Sequence, residues 1–170
     1  MRWINDMKNG AKKAPVFLLL VVCFTVHNIE ELALDLPAWM AATYETSTPI
    51  SSNAFLGAVV VVTVLAWIVY FGLKLRPLNH AFIWIAALVS AALAANSLGH
   101  VILSVFYWSL MPGLITAILI MGPVGLVSFY ETCGRLELTQ RGTLALFVGG
   151  VMLQFLVLVL ATQLGNALVA

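Results

Sequence analysis

Charged side chains are the scarcest feature of this sequence of 170 residues. Asp, Glu, Lys and Arg make up 9% of it, whereas soluble globular domains carry about 25%. A chain with so few charges cannot cover a water-facing surface, so a soluble globular domain is excluded. The mean hydropathy of +1.05 and the 62% share of hydrophobic residues indicate that most of the surface faces lipid.

Basic residues and cysteines are too few for several other classes of protein. The formal net charge is +1, and because a nucleic-acid-binding protein needs a basic stripe or patch, no nucleic-acid partner is expected. Cys23 and Cys133 lie in different segments and form no C-x-x-C pair, so they imply neither a disulfide framework nor a thiolate zinc site. The first apolar run has no A-x-A exit, so we expect no cleaved signal peptide.

Long hydrophobic runs, in contrast, are abundant. A helix that crosses the hydrocarbon core of a bilayer needs about 20 apolar residues, and helices are favoured there because lipid offers no partners to backbone groups. Five runs meet this requirement. They predict an all-α membrane protein, a single domain over 15–170 with about five transmembrane helices at 15–34, 53–73, 79–108, 112–130 and 142–164.

The basic residues predict the orientation of these helices. Four of them precede the first span, two follow the second and two follow the fourth: Arg2, Lys8, Lys12, Lys13, Lys74, Arg76, Arg135 and Arg141. Lys and Arg are enriched in cytoplasmic loops, so residues 1–14 are predicted to form a cytoplasmic basic N-terminus. All eight basic residues then fall on the cytoplasmic side of the membrane.

The stretch T-V-H-N-I-E-E-L at 25–32 interrupts the first hydrophobic run with three ionisable residues. At 100° per residue, Glu30 and Glu31 lie roughly 60° and 40° from His27 around the helix, so the three share one face. Ionisable groups inside a membrane are costly, and they usually face the protein interior and find partners. We therefore predict a buried polar site on this face.

The third run carries a second polar pair, Asn96 and His100, which share a helix face because they are four residues apart. From the rise of an α-helix, His27 lies roughly 18 Å and His100 roughly 27 Å from the cytoplasmic starts of their helices, and Gln154 lies roughly 17 Å from the start of the fifth span. Both clusters therefore fall in one layer, in the outer half of the bilayer. We predict that the first and third spans face each other around a shared pocket, which Gln154 could reach from below.

Other motifs shape the connections and contacts of the bundle. Met111-Pro112-Gly113 predicts a tight turn with Pro112 opening the fourth span, and Gly122-Pro123 predicts a kink in that span.

The polar, turn-rich segment between the first two spans carries Trp39 and Tyr44, which suit a membrane interface. The third run also contains small residues spaced by four, which let another helix approach closely: Ala87, Ala91, Ala95 and Gly99.

H-N-I-E-E, N-S-L-G-H and the later L-M-P-G resemble, in this order, the signatures H-x-x-E-E, N-x-x-x-H and Y-x-P-G of the HXXEE family of small bacterial membrane proteins. The resemblance covers Val16 to about Leu126 and implies a multi-pass protein of the bacterial cytoplasmic (inner) membrane. The tyrosine of the third signature is Leu110 here, so Tyr107 is the candidate to replace it. The resemblance names no reaction, but it implies a site at His27, Glu30, Glu31, Asn96 and His100.

The residue types favour a divalent-metal site. A histidine and a carboxylate one turn apart, with a distant second histidine, form the ligand set of many hydrolytic zinc enzymes, and H-x-x-E-E is similar to the H-x-x-E-H zinc motif. Our first hypothesis is that His27, His100 and one of the two glutamates bind the metal, with zinc favoured over iron. The other glutamate would accept a proton from water, while Asn96 polarises a substrate carbonyl or orients a ligand and Tyr107 is a further catalytic candidate. Such an enzyme would be hydrolase-like and act on an apolar or membrane-embedded substrate.

Three alternatives remain open. The first is a metal-free isomerase or cyclase of a lipid or isoprenoid, in which a glutamate donates a proton and aromatic side chains shield a carbocation. The second is a proton or metal-ion transporter or a lipid-ligand binding protein, although the polar groups form one layer and only a homo-oligomer could enclose a path. The third is a set of hydrogen-bonded core residues that hold the helices together.

Overall fold

The structure is a computed structural model that describes residues 15–44 and 50–169. Within these ranges the chain forms six helices and no strand. The basic N-terminus predicted at 1–14 lies outside the described residues. The helices are α1 Pro15–Ala33, α2 Leu36–Tyr44, α3 Ser52–Leu75, α4 His80–Phe106, α5 Leu114–Arg135 and α6 Gln140–Val169.

Five of these helices, all except α2, are long and apolar enough to cross a membrane. The prediction of an all-helical chain with five long apolar helices is therefore confirmed, and length and composition indicate a multi-pass membrane protein. α5 extends beyond its predicted end at 130 because Glu131 and Arg135 remain helical after the apolar run has ended. Because helical hydrogen bonds do not depend on side-chain hydropathy, the helix can end later than the apolar run from which its end was predicted.

The helix α2 lies in the segment that the sequence predicts to be turn-rich. Asp35 has a φ of 50° and reverses the chain after α1, and its carboxylate accepts a hydrogen bond from the Ala38 N–H at 3.3 Å. Pro37 then lies in the first helical turn, where its missing N–H costs nothing. Local capping and the burial of Leu36 therefore favour a helix over the predicted turn.

The helix α4 contacts each of the other four long helices and forms the centre of the bundle. Small side chains permit this, since Ala87 and Ala91 are fully buried between α4 and its neighbours. Ser90 and Ser128 form a buried hydrogen bond of 2.9 Å between α4 and α5. The predicted ridge of small residues is thus a packing surface at its first two positions.

The connection from α4 to α5 turns sharply at the Pro-Gly motif. The Met111 N–H donates to Ser104 Oγ at 3.0 Å, and Gly113 adopts a left-handed φ of 88° directly before α5. Pro112 therefore precedes the helix instead of opening it, because left-handed backbone at Gly113 cannot belong to a right-handed helix. A π-helical turn, Ala117–Met121, lies directly before Gly122 and Pro123, where the sequence predicts a kink.

Candidate functional site

The helices α1 and α4 bring three ionisable side chains together. Glu31 Oε1 lies 3.3 Å from His27 Nε2 and 3.1 Å from His100 Nε2. The two imidazole rings meet edge to face, with centroids 4.7 Å apart and planes at 82°. His27, Glu31 and His100, which we call the His-Glu-His cluster, thus converge on one point, as the shared helix face and the shared level in the bundle predict.

The His-Glu-His cluster is shielded from solvent and lipid. His27 is 0% exposed, Glu31 7% and His100 2%. Each residue offers one nitrogen or oxygen atom that could bind a metal, and these atoms lie within 4.8 Å of one another. Two imidazoles and one carboxylate around a common point form a donor set that zinc accepts.

The turn before α5 covers the His-Glu-His cluster with backbone. A Cβ atom on Gly113 would lie 2.7 Å from His27 Cε1, 2.9 Å from Glu31 Cγ and 2.9 Å from His100 Cε1. Gly113 therefore meets two requirements at once, since its φ of 88° favours glycine and no side chain fits at its position. The turn therefore packs directly against the three side chains, at the place where the sequence predicts a shared pocket.

A second layer of hydrogen bonds surrounds His27. Asn96 Nδ2 lies 3.3 Å from His27 Nε2, and Gln154 Nε2 of α6 donates to Asn96 Oδ1 at 2.7 Å. On the other side of the ring, His27 Nδ1 lies 2.9 Å from Thr116 Oγ1 of α5. The fifth span thus reaches the site through Gln154, as its height in the bundle predicts.

Comparison with known proteins agrees with the motifs at this site. The family model described as "Protein of unknown function with HXXEE motif" matches residues 18–128. The chain belongs to the HXXEE family. The uncharacterized protein YrkK of Bacillus subtilis (strain 168) is 34% identical over 119 residues, which cover 68% of this chain and 75% of YrkK. No solved structure matches this chain.

The two glutamates of the HXXEE motif have different surroundings. Glu31 belongs to the His-Glu-His cluster, whereas the Glu30 carboxylate accepts hydrogen bonds from the backbone N–H groups of Ile115 at 3.4 Å and Thr116 at 2.9 Å. The first N–H groups of a helix have no partners within the helix. Glu30 supplies the acceptor for two of these groups in α5. The structure therefore places Glu30 beside the cluster and not among its three members.

The tyrosine of the third HXXEE signature has no direct counterpart in the cluster. Leu110, at that position, is 81% exposed, and Tyr107 packs against Trp39 and Tyr44 with ring centroids 6.3 Å and 5.3 Å away. Among the described residues, no hydrogen bond joins Tyr107 to the cluster. The structure thus places Tyr107 in an aromatic group at the end of α4, because α4 stops there and the chain turns away.

Other predicted features lie apart from the His-Glu-His cluster. Cys23 is buried in the hydrophobic core with Phe17 and Leu20, and it is not a member of the metal-ligand group. Asn28, directly after His27, is buried and donates to Thr63 Oγ1 of α3 at 2.8 Å. Asn28 therefore joins α1 to α3 and is not part of the cluster.

Reasoning from the sequence missed Thr116 and Gly113 as parts of the site. Gly113 carries a signal, because it belongs to the third HXXEE signature, but the sequence alone suggests only a turn. Thr116 carries none, since a threonine near the start of an apolar helix is common. Only the position of α5 against α1 brings Thr116 Oγ1 to His27.

Proposed function

We propose that this HXXEE protein is a membrane enzyme whose reaction centre is a divalent-metal site formed by His27, Glu31 and His100. The observation that carries the proposal is the convergence of two imidazole nitrogens and one carboxylate oxygen within 4.8 Å in a buried position. The ligand set favours zinc over iron, because His2Glu sites with an open position are typical of hydrolytic zinc enzymes.

The electrostatics of the cluster supports a cation at this point. Glu31 Oε1 lies within 3.3 Å of both Nε2 atoms, and a buried carboxylate close to nitrogen lone pairs is repelled unless a proton or a metal ion lies between them. His100 Nδ1 is buried and has no hydrogen-bond partner among the described residues. A buried polar atom without a partner is rare, so a water molecule or another small ligand at Nδ1 would complete the hydrogen bonds of His100.

The residues around the cluster then take distinct roles. When bound, the metal would act as a Lewis acid on a substrate carbonyl or on water. Asn96 would orient the substrate or a ligand, since its amide lies beside His27 Nε2. Glu30 retains acceptor capacity beyond its two backbone hydrogen bonds, so it is the candidate proton acceptor of a hydrolase-like reaction.

The location of the site favours an apolar or membrane-embedded substrate. The cluster lies inside a bundle of helices apolar enough to cross a membrane, and Ile29, between His27 and Glu31, is 59% exposed on the outer side of α1. The basic residues favour an N-terminus in the cytoplasm, and the resemblance to the HXXEE family favours the bacterial inner membrane. We therefore expect the substrate to reach the site from the bilayer.

A metal-free acid–base enzyme is the second candidate. It is favoured by one observation, the contact of 3.1 Å between Glu31 Oε1 and His100 Nε2, which is a normal hydrogen-bond length and needs no ion. In that case a proton shared by Glu31 and the histidines would serve acid–base chemistry on a lipid. Metal content separates the two candidates.

The test of the proposal is the metal content of the purified protein. We expect about one zinc ion per chain in the wild type after supplementation with zinc, measured by inductively coupled plasma mass spectrometry. The variants His27→Ala, Glu31→Gln and His100→Ala should each reduce bound zinc at least tenfold, because two remaining ligands bind zinc weakly. His80→Ala and Glu137→Gln are matched controls, since both residues are exposed and outside the cluster, and should leave zinc unchanged.

Two results would overturn the metal proposal. One is a metal content in all three cluster variants equal to that of the wild type, with circular dichroism showing normal helix content. The other is a wild type that binds neither zinc nor ferrous iron at micromolar concentrations. The second result would leave the metal-free candidate, which expects activity to survive chelators and to be lost in Glu30→Gln or Glu31→Gln.

A further inference from the structure

Thr116 connects the first and the third signature motif of this chain. Its backbone N–H donates to Glu30 Oε2 at 2.9 Å, its Oγ1 lies 2.9 Å from His27 Nδ1, and the same hydroxyl donates to the Gly113 carbonyl at 3.2 Å. These contacts join α1, the Pro-Gly turn and the first turn of α5. No signature motif includes Thr116, and the proposed function assigns it no role.

The two hydrogen-bond contacts of the Thr116 hydroxyl favour one tautomer of His27. A hydroxyl has one proton to donate, and a carbonyl oxygen can only accept. Both contacts are satisfied together when the hydroxyl donates to the Gly113 carbonyl and Thr116 Oγ1 accepts from His27 Nδ1–H. In this arrangement His27 carries its proton on Nδ1 and, in the neutral ring, presents a lone pair on Nε2.

The lone pair on His27 Nε2 faces the centre of the cluster. Glu31 Oε1 is 3.3 Å away, and the Asn96 amide nitrogen, also 3.3 Å away, is a donor that suits a lone pair. Gln154 keeps that amide in place by donating to Asn96 Oδ1. We infer that Thr116 is the positioning residue of the site: its hydroxyl selects the His27 tautomer that presents the Nε2 lone pair, which the metal would bind in place of the Asn96 N–H.

The two histidines of the cluster differ in the hydrogen-bond partner of Nδ1. Nδ1 of His100 has no partner among the described residues, so nothing described holds His100 in one tautomer. Metal-binding histidines usually donate their other N–H to a protein group, and loss of that group typically lowers metal affinity about 10–100-fold. Among the residues that the structure describes, such a group, Thr116, is present for His27 and not for His100.

The effect of Thr116 on metal binding rests on the proposed function, whereas its effect on the His27 tautomer does not. The first test is therefore made without metal. In metal-free protein labelled with ¹⁵N-histidine, we expect the His27 Nδ1 signal to be that of a protonated nitrogen and the Nε2 signal that of an unprotonated one. The chain has 3 histidines, so the variants His80→Ala and His100→Ala assign the signals. Thr116→Val should lose this tautomer preference, and Thr116→Ser should retain it.

The second test is zinc affinity, measured by competition with a chelator. Thr116→Val should bind zinc about 10–100-fold more weakly than the wild type, whereas Thr116→Ser should stay within about threefold of it. Thr63→Val is the matched control, because Thr63 accepts a hydrogen bond from Asn28, next to His27, without touching the cluster. It should bind zinc as the wild type does.

Two outcomes would overturn the inference. One is His27 protonated on Nε2 in metal-free wild type, and the other is Thr116→Val with an unchanged tautomer and unchanged zinc affinity. If the wild type binds neither zinc nor ferrous iron, the proposed metal function fails by itself. The tautomer measurement still decides the role of Thr116 in that case.

Discussion

Replacing Gly113 with alanine is expected to weaken zinc binding at least tenfold and to destabilise the folded protein by several kcal/mol. The added Cβ would lie less than 3 Å from one atom each of His27, Glu31 and His100, so the three ligands could not keep their positions. A left-handed φ, here 88°, costs a residue with a Cβ about 1–2 kcal/mol. Overpacking of a tight site adds about 1–3 kcal/mol, and the two costs act together.

The matched control for Gly113 is Gly99, one residue before His100 in α4. A Cβ on Gly99 would meet no atom within 4 Å, and alanine is favoured over glycine within a helix by about 1 kcal/mol. Gly99→Ala should therefore keep wild-type zinc content and melt at the same temperature or higher. The measurements are zinc content and the melting temperature in detergent, and wild-type values of both in Gly113→Ala would show that the turn does not pack on the cluster.

Replacing Gly150 with alanine is expected to cause the second large loss of stability, at a distance from the His-Glu-His cluster. Gly150 lies in α6 where it crosses α4. Its added Cβ would come within 3.0 Å of the Leu88 carbonyl oxygen and the Ala92 nitrogen, and still closer to Ala91 Cβ. Two of these three atoms belong to the backbone, so the clash is relieved only if the helices separate. We expect a loss of about 1–3 kcal/mol, which exceeds the gain in helix propensity.

The neighbouring glycine offers the control for this prediction. A Cβ on Gly149 would meet only Leu88 Cδ2, at the ordinary contact distance of 3.4 Å. Gly149→Ala should therefore match or exceed the thermal stability of the wild type in detergent, and zinc content should be normal in this variant. Equal melting temperatures for the two alanine variants would contradict the close approach of α4 and α6 at Gly150.

Much of the fold and part of the site could be predicted from local pattern alone. Hydropathy is a property of consecutive residues, so the five long helices follow from run length. The shared face of His27 and Glu31 follows from helical periodicity. Their common level with His100 and Gln154 follows from counting residues along each helix, because a bilayer aligns the helix ends.

The different roles of Glu30 and Glu31 could not be predicted in this way. Both acids lie on the same side of α1, and periodicity separates them by a single residue step. The difference arises because the first turn of α5 lies against Glu30, while α4 brings His100 to Glu31. The lateral placement of helices depends on packing contacts between residues far apart in the chain.

The amino-acid sequence by itself determined the five long apolar helices, which indicate a multi-pass membrane protein, and the level of the polar residues along them, because these follow from hydropathy and helix geometry. Only the tertiary structure decided that Gly113 covers the cluster and that Thr116 binds His27. Both contacts require the left-handed turn before α5 to meet α1 and α4 within hydrogen-bond or van der Waals distance. No local pattern specifies such a meeting, since it is set by how all the helices pack together.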